Sequence, residues 1–177
     1  MSQRRKARIA GYLYLVAVLA AIFGEFFIRG RAGMDVALTA VPCYVAVTVL
    51  TYAIFKAANG RLSFLALSFN LLGLAFEALR LNPGGVDIAL VFHGVYCLLI
   101  ASLIFHATIL PPNLWIPMAL AGFGWMTFLS PRLADHLSPY NLAVGILGEA
   151  SLMLWFLAFG VRELDSTTTL GESSREC

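Results

Sequence analysis

Charge is what this chain has least of. Of its 177 residues only 12% are Asp, Glu, Lys or Arg, against about 25% in a soluble globular domain. Mean hydropathy is correspondingly high, at +0.83. Cysteine is scarce too: Cys43, Cys97 and Cys177 form no CxxC pair, which argues against both a disulfide framework and a cysteine-built zinc site. The motifs of familiar chemistry are missing. There is no glycine-rich phosphate loop, no HExxH, no histidine pair one turn apart, no Glu-x-x-His, and no serine in a nucleophile-elbow context. No soluble face interleaves basic and aromatic residues, so nucleic acid is not an expected partner.

What is present is apolar sequence in long runs: Ile9–Ile28, Ala37–Phe55, Leu62–Leu79, Ile88–Phe105, Leu114–Leu129 and Leu142–Val161. A helix crossing a hydrocarbon core of roughly 30 Å needs about 17 to 25 apolar residues. Five runs meet that directly, and the fifth in order does so with Pro112 and Ser130 at its ends. Runs such as LVAVLAAIF do not alternate apolar with polar, so they read as helices rather than barrel strands. The expected fold is therefore all-α, a polytopic integral membrane bundle of six transmembrane helices over residues 1–163. A polar, aperiodic tail at 164–177 is expected to be disordered in the cytosol.

Lys and Arg in the short loops set the expected orientation. With the N-terminus cytoplasmic, the inner side holds Arg4, Arg5, Lys6, Arg8, Lys56, Arg61, Arg162 and Arg175, and the outer side holds Arg29, Arg31, Arg80 and Arg132. Both termini are then cytoplasmic. The first run, closed by Glu25 and Arg29 and without a small-residue cleavage site, reads as a retained span rather than a signal peptide.

Polar residues inside these runs are the candidate functional groups, because ionisable side chains in lipid are expensive. Gly11, Tyr14, Val18, Ala21 and Glu25 fall on one helical face of the first span. Ala66, Asn70, Gly73, Glu77 and Arg80 do so on the third, and Ala89, His93, Tyr96 and Cys97 on the fourth. Glu77 and Arg80 are spaced to pair, and Asp87 to cap the fourth helix. Depth along each helix puts His93 roughly 8 Å and Glu149 roughly 10 Å inside the outer end of its span, which makes them candidate partners.

The pocket candidates are Glu25, Asn70, Glu77, Arg80, His93, Tyr96, Asn141 and Glu149. A cluster of Glu25, Glu77, His93 and Glu149 would suit a proton, a cationic group or a divalent metal; the metal ligands would be Glu77, His93 and Glu149. The residues name no cofactor and no catalytic group. Three readings stay open: a pocket that binds or passes a small solute or proton, an intramembrane carboxylate/His enzyme, and a structural or accessory subunit whose polar groups only order the packing.

RIAGYLYL (Arg8–Leu15), GEFFIRG (Gly24–Gly30), GVDIALVFHGVYCLL (Gly85–Leu99), the Leu110–Pro111 pair and GEASLMLWFL (Gly148–Leu157) together resemble the bacterial membrane family catalogued as domain of unknown function 4386. The chain is shorter than that family's usual form between the first two spans. The resemblance implies a multi-pass protein of the bacterial inner membrane, with the lipid bilayer as its surroundings, and carries no reaction or ligand with it.

Overall fold

The computed structural model describes residues 2–23, 40–81, 83–107 and 109–161. Within them the chain forms helices α1 (Gln3–Ile22), α2 (Ala40–Phe55), α3 (Gly60–Ala78), α4 (Ile88–His106), α5 (Trp115–Met126), α6 (Pro131–Leu137) and α7 (Tyr140–Ala158), with no strand among the described residues. Three of them, α3, α4 and α7, are long and apolar enough to cross a membrane, and α2 is a shorter apolar helix.

Local chemistry explains the boundaries. A helix start leaves N–H groups without intrahelical partners, and short polar side chains satisfy them. Ser2 accepts from Arg5 N at 3.3 Å, Asn59 from Leu62 N at 3.1 Å, and Asp87 from Leu90 N at 3.2 Å. The Ser2 cap starts α1 six residues before the first apolar run, so its opening turns carry Arg4, Arg5, Lys6 and Arg8. At the other end of α3, Arg80 sits in left-handed backbone (φ 53), with Arg80 N bonded to Glu77 O and Leu81 N to Phe76 O. That is a Schellman end, built here on arginine where glycine is the usual choice. The stretch SPRLADHLSPY, which links the fifth and sixth apolar runs, contains α6. The fifth apolar run is helical over α5 and continues as a 3-10 turn, Thr127–Leu129.

The six long helices pack in chain order: α1 on α2, α2 on α3, α3 on α4, α4 on α5, α5 on α7, and α7 back on α1. This closes a ring around a core that includes Ala7, Ile54, Phe55, Tyr96, Ile100, Ile104, Met118 and Phe156. Glycines permit the close approaches. A Cβ added at Gly148 would lie 2.2 Å from Pro117 O, one at Gly94 3.0 Å from Gly122 O, and one at Gly11 2.9 Å from Leu157 N. Small residues at helix crossings let backbones meet, as in membrane bundles generally.

The start of α1 meets the end of α7, where Gly160 abuts Arg4, so the basic N-terminal turns mark one end of the bundle. The end of α1, the start of α2, the end of α3 and the start of α4 converge at the opposite end. That end is where the polar residues gather.

Candidate functional site

Each of the six long helices contributes one side chain to a single buried network. Glu149, 5% exposed on α7, is its centre. One carboxylate oxygen, Oε1, faces His93 Nε2 of α4 at 2.9 Å and accepts from Trp125 Nε1 of α5 at 2.6 Å. The other, Oε2, accepts from the Tyr14 hydroxyl of α1. On its far side His93 Nδ1 lies 2.8 Å from Asn70 Oδ1 of α3. Asn70 in turn donates through Nδ2 to Thr48 Oγ1 of α2 at 2.6 Å, and Thr48 donates to its own helix at Tyr44 O, 2.7 Å away.

The chain of donors fixes the protonation of the imidazole. Thr48 has one hydroxyl hydrogen and gives it to Tyr44 O, so it must accept from the Asn70 amide nitrogen. The Asn70 oxygen is therefore turned to His93, and Nδ1 must carry a hydrogen. Nε2 is left facing Glu149 with a single proton between them, held either as imidazolium with carboxylate or as imidazole with carboxylic acid. Trp125 donates whichever form is present, because an indole nitrogen has no other role. Beyond Asn70 a proton has no relay, since an amide does not titrate. Aromatic rings wall the imidazole: Tyr44, Tyr96 and Trp125 have centroids 6.2, 5.6 and 6.1 Å from it.

Beside this network lies a cavity of about 470 Å³, lined by Val18, Ala21 and Ile22 of α1, Ala40 and Tyr44 of α2, Asn70, Gly73, Leu74 and Glu77 of α3, Asp87, Ala89, Leu90 and His93 at the start of α4, Trp125 of α5, and Leu142, Ile146, Glu149 and Ala150 of α7. The walls are mostly apolar, with a few polar groups converging at one place, as is usual for small-molecule sites. His93 is the more accessible member of the central pair, its side chain 15% exposed against 6% for Glu149. Towards the basic end the same helices close over Ala7, Ala10, Cys97, Ile100, Leu152 and Phe156, all buried.

The residues expected from sequence divide clearly. His93, Glu149 and Asn70 form the core of the network. Tyr96 is buried against the His93 ring, and Glu77 lines the cavity. Arg80 is exposed beyond the end of α3 and does not line it. Asn141 is a correction: it donates to Thr127 Oγ1 at 3.1 Å and Ala134 O at 3.3 Å and accepts from Leu142 N at 2.9 Å, so it ties α6 to the start of α7 and takes no part in the Glu149 network. Glu25 lies outside the described residues.

Tyr14, Thr48 and Trp125 were not among the candidates. Tyr14 was within reach of the sequence, because it shares the Gly11–Val18–Ala21 stripe. Trp125 and Thr48 sit in apolar runs with nothing to distinguish them from lining residues. Among the described residues, the grouping that could hold a metal also differs from expectation. His93, Cys97 and Glu149 offer one donor atom each within 4.8 Å of one another, so Cys97 stands where Glu77 was expected among the possible ligands. Comparison of the chain with protein-family models, with curated proteins and with solved structures finds no match.

Proposed function

We propose that this chain is a six-span protein of the bacterial inner membrane, with both termini cytoplasmic, whose outer half holds a pocket that binds a small solute through the His93–Glu149 pair. The multi-span family that its motifs resemble has the same general character. Three helices of membrane-spanning length and a surface bearing Phe64, Leu79, Phe105, Phe123, Leu147 and Leu154 in exposed positions support the membrane setting. The basic turns of α1 at the end opposite the cavity support the orientation, by the excess of Lys and Arg on the cytoplasmic side.

The observation that carries the functional reading is the position of Glu149. A carboxyl group hydrogen-bonded from three other helices borders a mostly apolar cavity of about 470 Å³. Polar groups kept only for packing are as well satisfied without a cavity beside them. The Glu149 carboxyl group, set against a mostly apolar wall, favours a solute with an apolar body and one protonated nitrogen. The solute reaches the pair from one side, and the apolar closure towards the basic end makes this arrangement a binding state rather than a continuous passage.

Trp125 reports on the site if Trp115 and Trp155 are replaced by Phe. In liposomes, titration with a panel of small alkylamines, alkyl carboxylates and neutral alcohols should change Trp125 fluorescence for the amines, saturably, and the response should be lost in Glu149→Gln. An unresponsive panel, together with a Glu149→Gln protein that differs only in thermal stability, would assign the network to packing alone.

A further inference from the structure

We propose that His93, Cys97 and Glu149 form a binding site for a divalent ion of the zinc class, with its remaining coordination position turned to the cavity. The proposal uses the same pocket as the solute reading but rests on a different observation, the placing of Cys97. That residue is fully buried one helical turn after His93 on α4, and the network of hydrogen bonds around Glu149 does not require it. Its sulfur nonetheless lies within 4.8 Å of both a His93 nitrogen and a Glu149 oxygen. In a tetrahedral zinc site, ligand atoms at about 2.0 to 2.3 Å from the ion stand roughly 3.3 to 3.7 Å apart, so small side-chain rotations close the difference.

Three features fit an ion. The first is charge: two anionic donors, the Cys97 thiolate and the Glu149 carboxylate, with a neutral His93, cancel a double positive charge, which is the combination a low-dielectric site tolerates best. The second is orientation. His93 presents Nε2 inward while Nδ1–H is held by Asn70 Oδ1 at 2.8 Å, and a ligating histidine characteristically has its other nitrogen fixed by an oxygen in this way. The third is access, because His93 and Glu149 line the cavity and Cys97 does not, leaving an open side for water or solute.

Binding is an exchange of protons for metal. The ion takes the place of the proton between His93 Nε2 and Glu149 Oε1 and displaces the thiol proton of Cys97, so about two protons leave for each ion bound. Trp125 and Tyr14 keep donating to the carboxylate. The donor set of nitrogen, sulfur and oxygen suits zinc or cobalt and disfavours magnesium and calcium, which prefer all-oxygen sites.

The test uses the full chain in detergent, stripped with chelator and titrated with Co²⁺. The expected result is a stoichiometric complex with the visible bands of tetrahedral cobalt and a near-ultraviolet thiolate charge-transfer band. Cys97→Ser should abolish the charge-transfer band, Cys43→Ser and Cys177→Ser should keep it, and Asn70→Ala should keep it while weakening affinity about 10- to 100-fold. Thermal melts check that each variant is folded. A folded wild-type protein with no thiolate band at excess Co²⁺, or a band that survives Cys97→Ser, overturns the proposal. Amine binding measured on the wild-type protein separates the two readings: amine binding without a metal band sinks the metal site alone, and absence of both sinks the pocket itself.

Discussion

At the scale of single residues, the arrangement turns on groups with no alternative partner. Trp125 can only donate, and its one donor is spent on Glu149 at 2.6 Å. Trp125→Phe removes the N–H together with part of the buried indole, so it should lower the unfolding free energy by at least about 1.5 kcal/mol, as read by denaturant titration in micelles. Asn70→Leu strands both the His93 Nδ1–H and the Thr48 acceptor and should cost about 1 to 3 kcal/mol. It should also free the imidazole to change tautomer, which ¹⁵N NMR of labelled His93 reads directly; an unchanged Nδ1–H signal in Asn70→Leu would contradict the donor chain derived above. Residue-level inference from sequence reached His93 and Glu149 because depth in a helix follows from counting, and it reached Asn70 because an amide in an apolar run stands out. It missed Trp125 because an indole in such a run looks like any lipid-facing or core aromatic. It misplaced Asn141 because the first turn of a helix gives an asparagine local partners that spacing does not reveal.

At the scale of elements, contact between helices depends on glycine. Gly148 precedes Glu149 and touches α5, where an added Cβ would stand 2.2 Å from Pro117 O and 2.6 Å from Ala121 Cβ. Backbone cannot yield as a flexible side chain does, so Gly148→Ala should push α7 from α5 and destabilise by about 1 to 3 kcal/mol, the usual range for overpacking. Because the site is built across that crossing, the same variant should lose the Trp125 fluorescence response to amines; a variant of wild-type stability and response would show that α5 and α7 do not pack this closely. The apolar runs made the long helices legible, since a long apolar run without polar alternation favours a helix over a strand. The start of α1 was read six residues late because apolar periodicity begins at Ile9 while the cap that nucleates the helix is Ser2. Likewise α6 is only seven residues long and carries too little apolar pattern to be told from a loop.

At the scale of the whole molecule, helices in chain order form a closed ring, and the polar network joins all six. Hydropathy could not supply this order, because lipid-facing and core-facing sides of an apolar helix have the same composition; the small-residue stripes gave one face of some helices and no partner for any. The ring gives the bundle two unlike ends, a basic one at the start of α1 and one with the cavity. Reporter fusions should therefore place Lys56 on the cytoplasmic side and Arg132 outside, and the reverse result would invert the proposed orientation.

The central claim is that His93 and Glu149 form one coupled unit to which every long helix is tied. A double-mutant cycle measures that coupling without knowledge of any ligand. With His93→Phe and Glu149→Gln, alone and together, the unfolding free energies should be non-additive by about 1 to 3 kcal/mol, because either substitution alone already breaks the contact between the two side chains, while the bonds of Glu149 to Tyr14 and Trp125 and of His93 to Asn70 cancel from the cycle. Effects that add to within about 0.5 kcal/mol would show that the two side chains act independently, and would contradict the site described here.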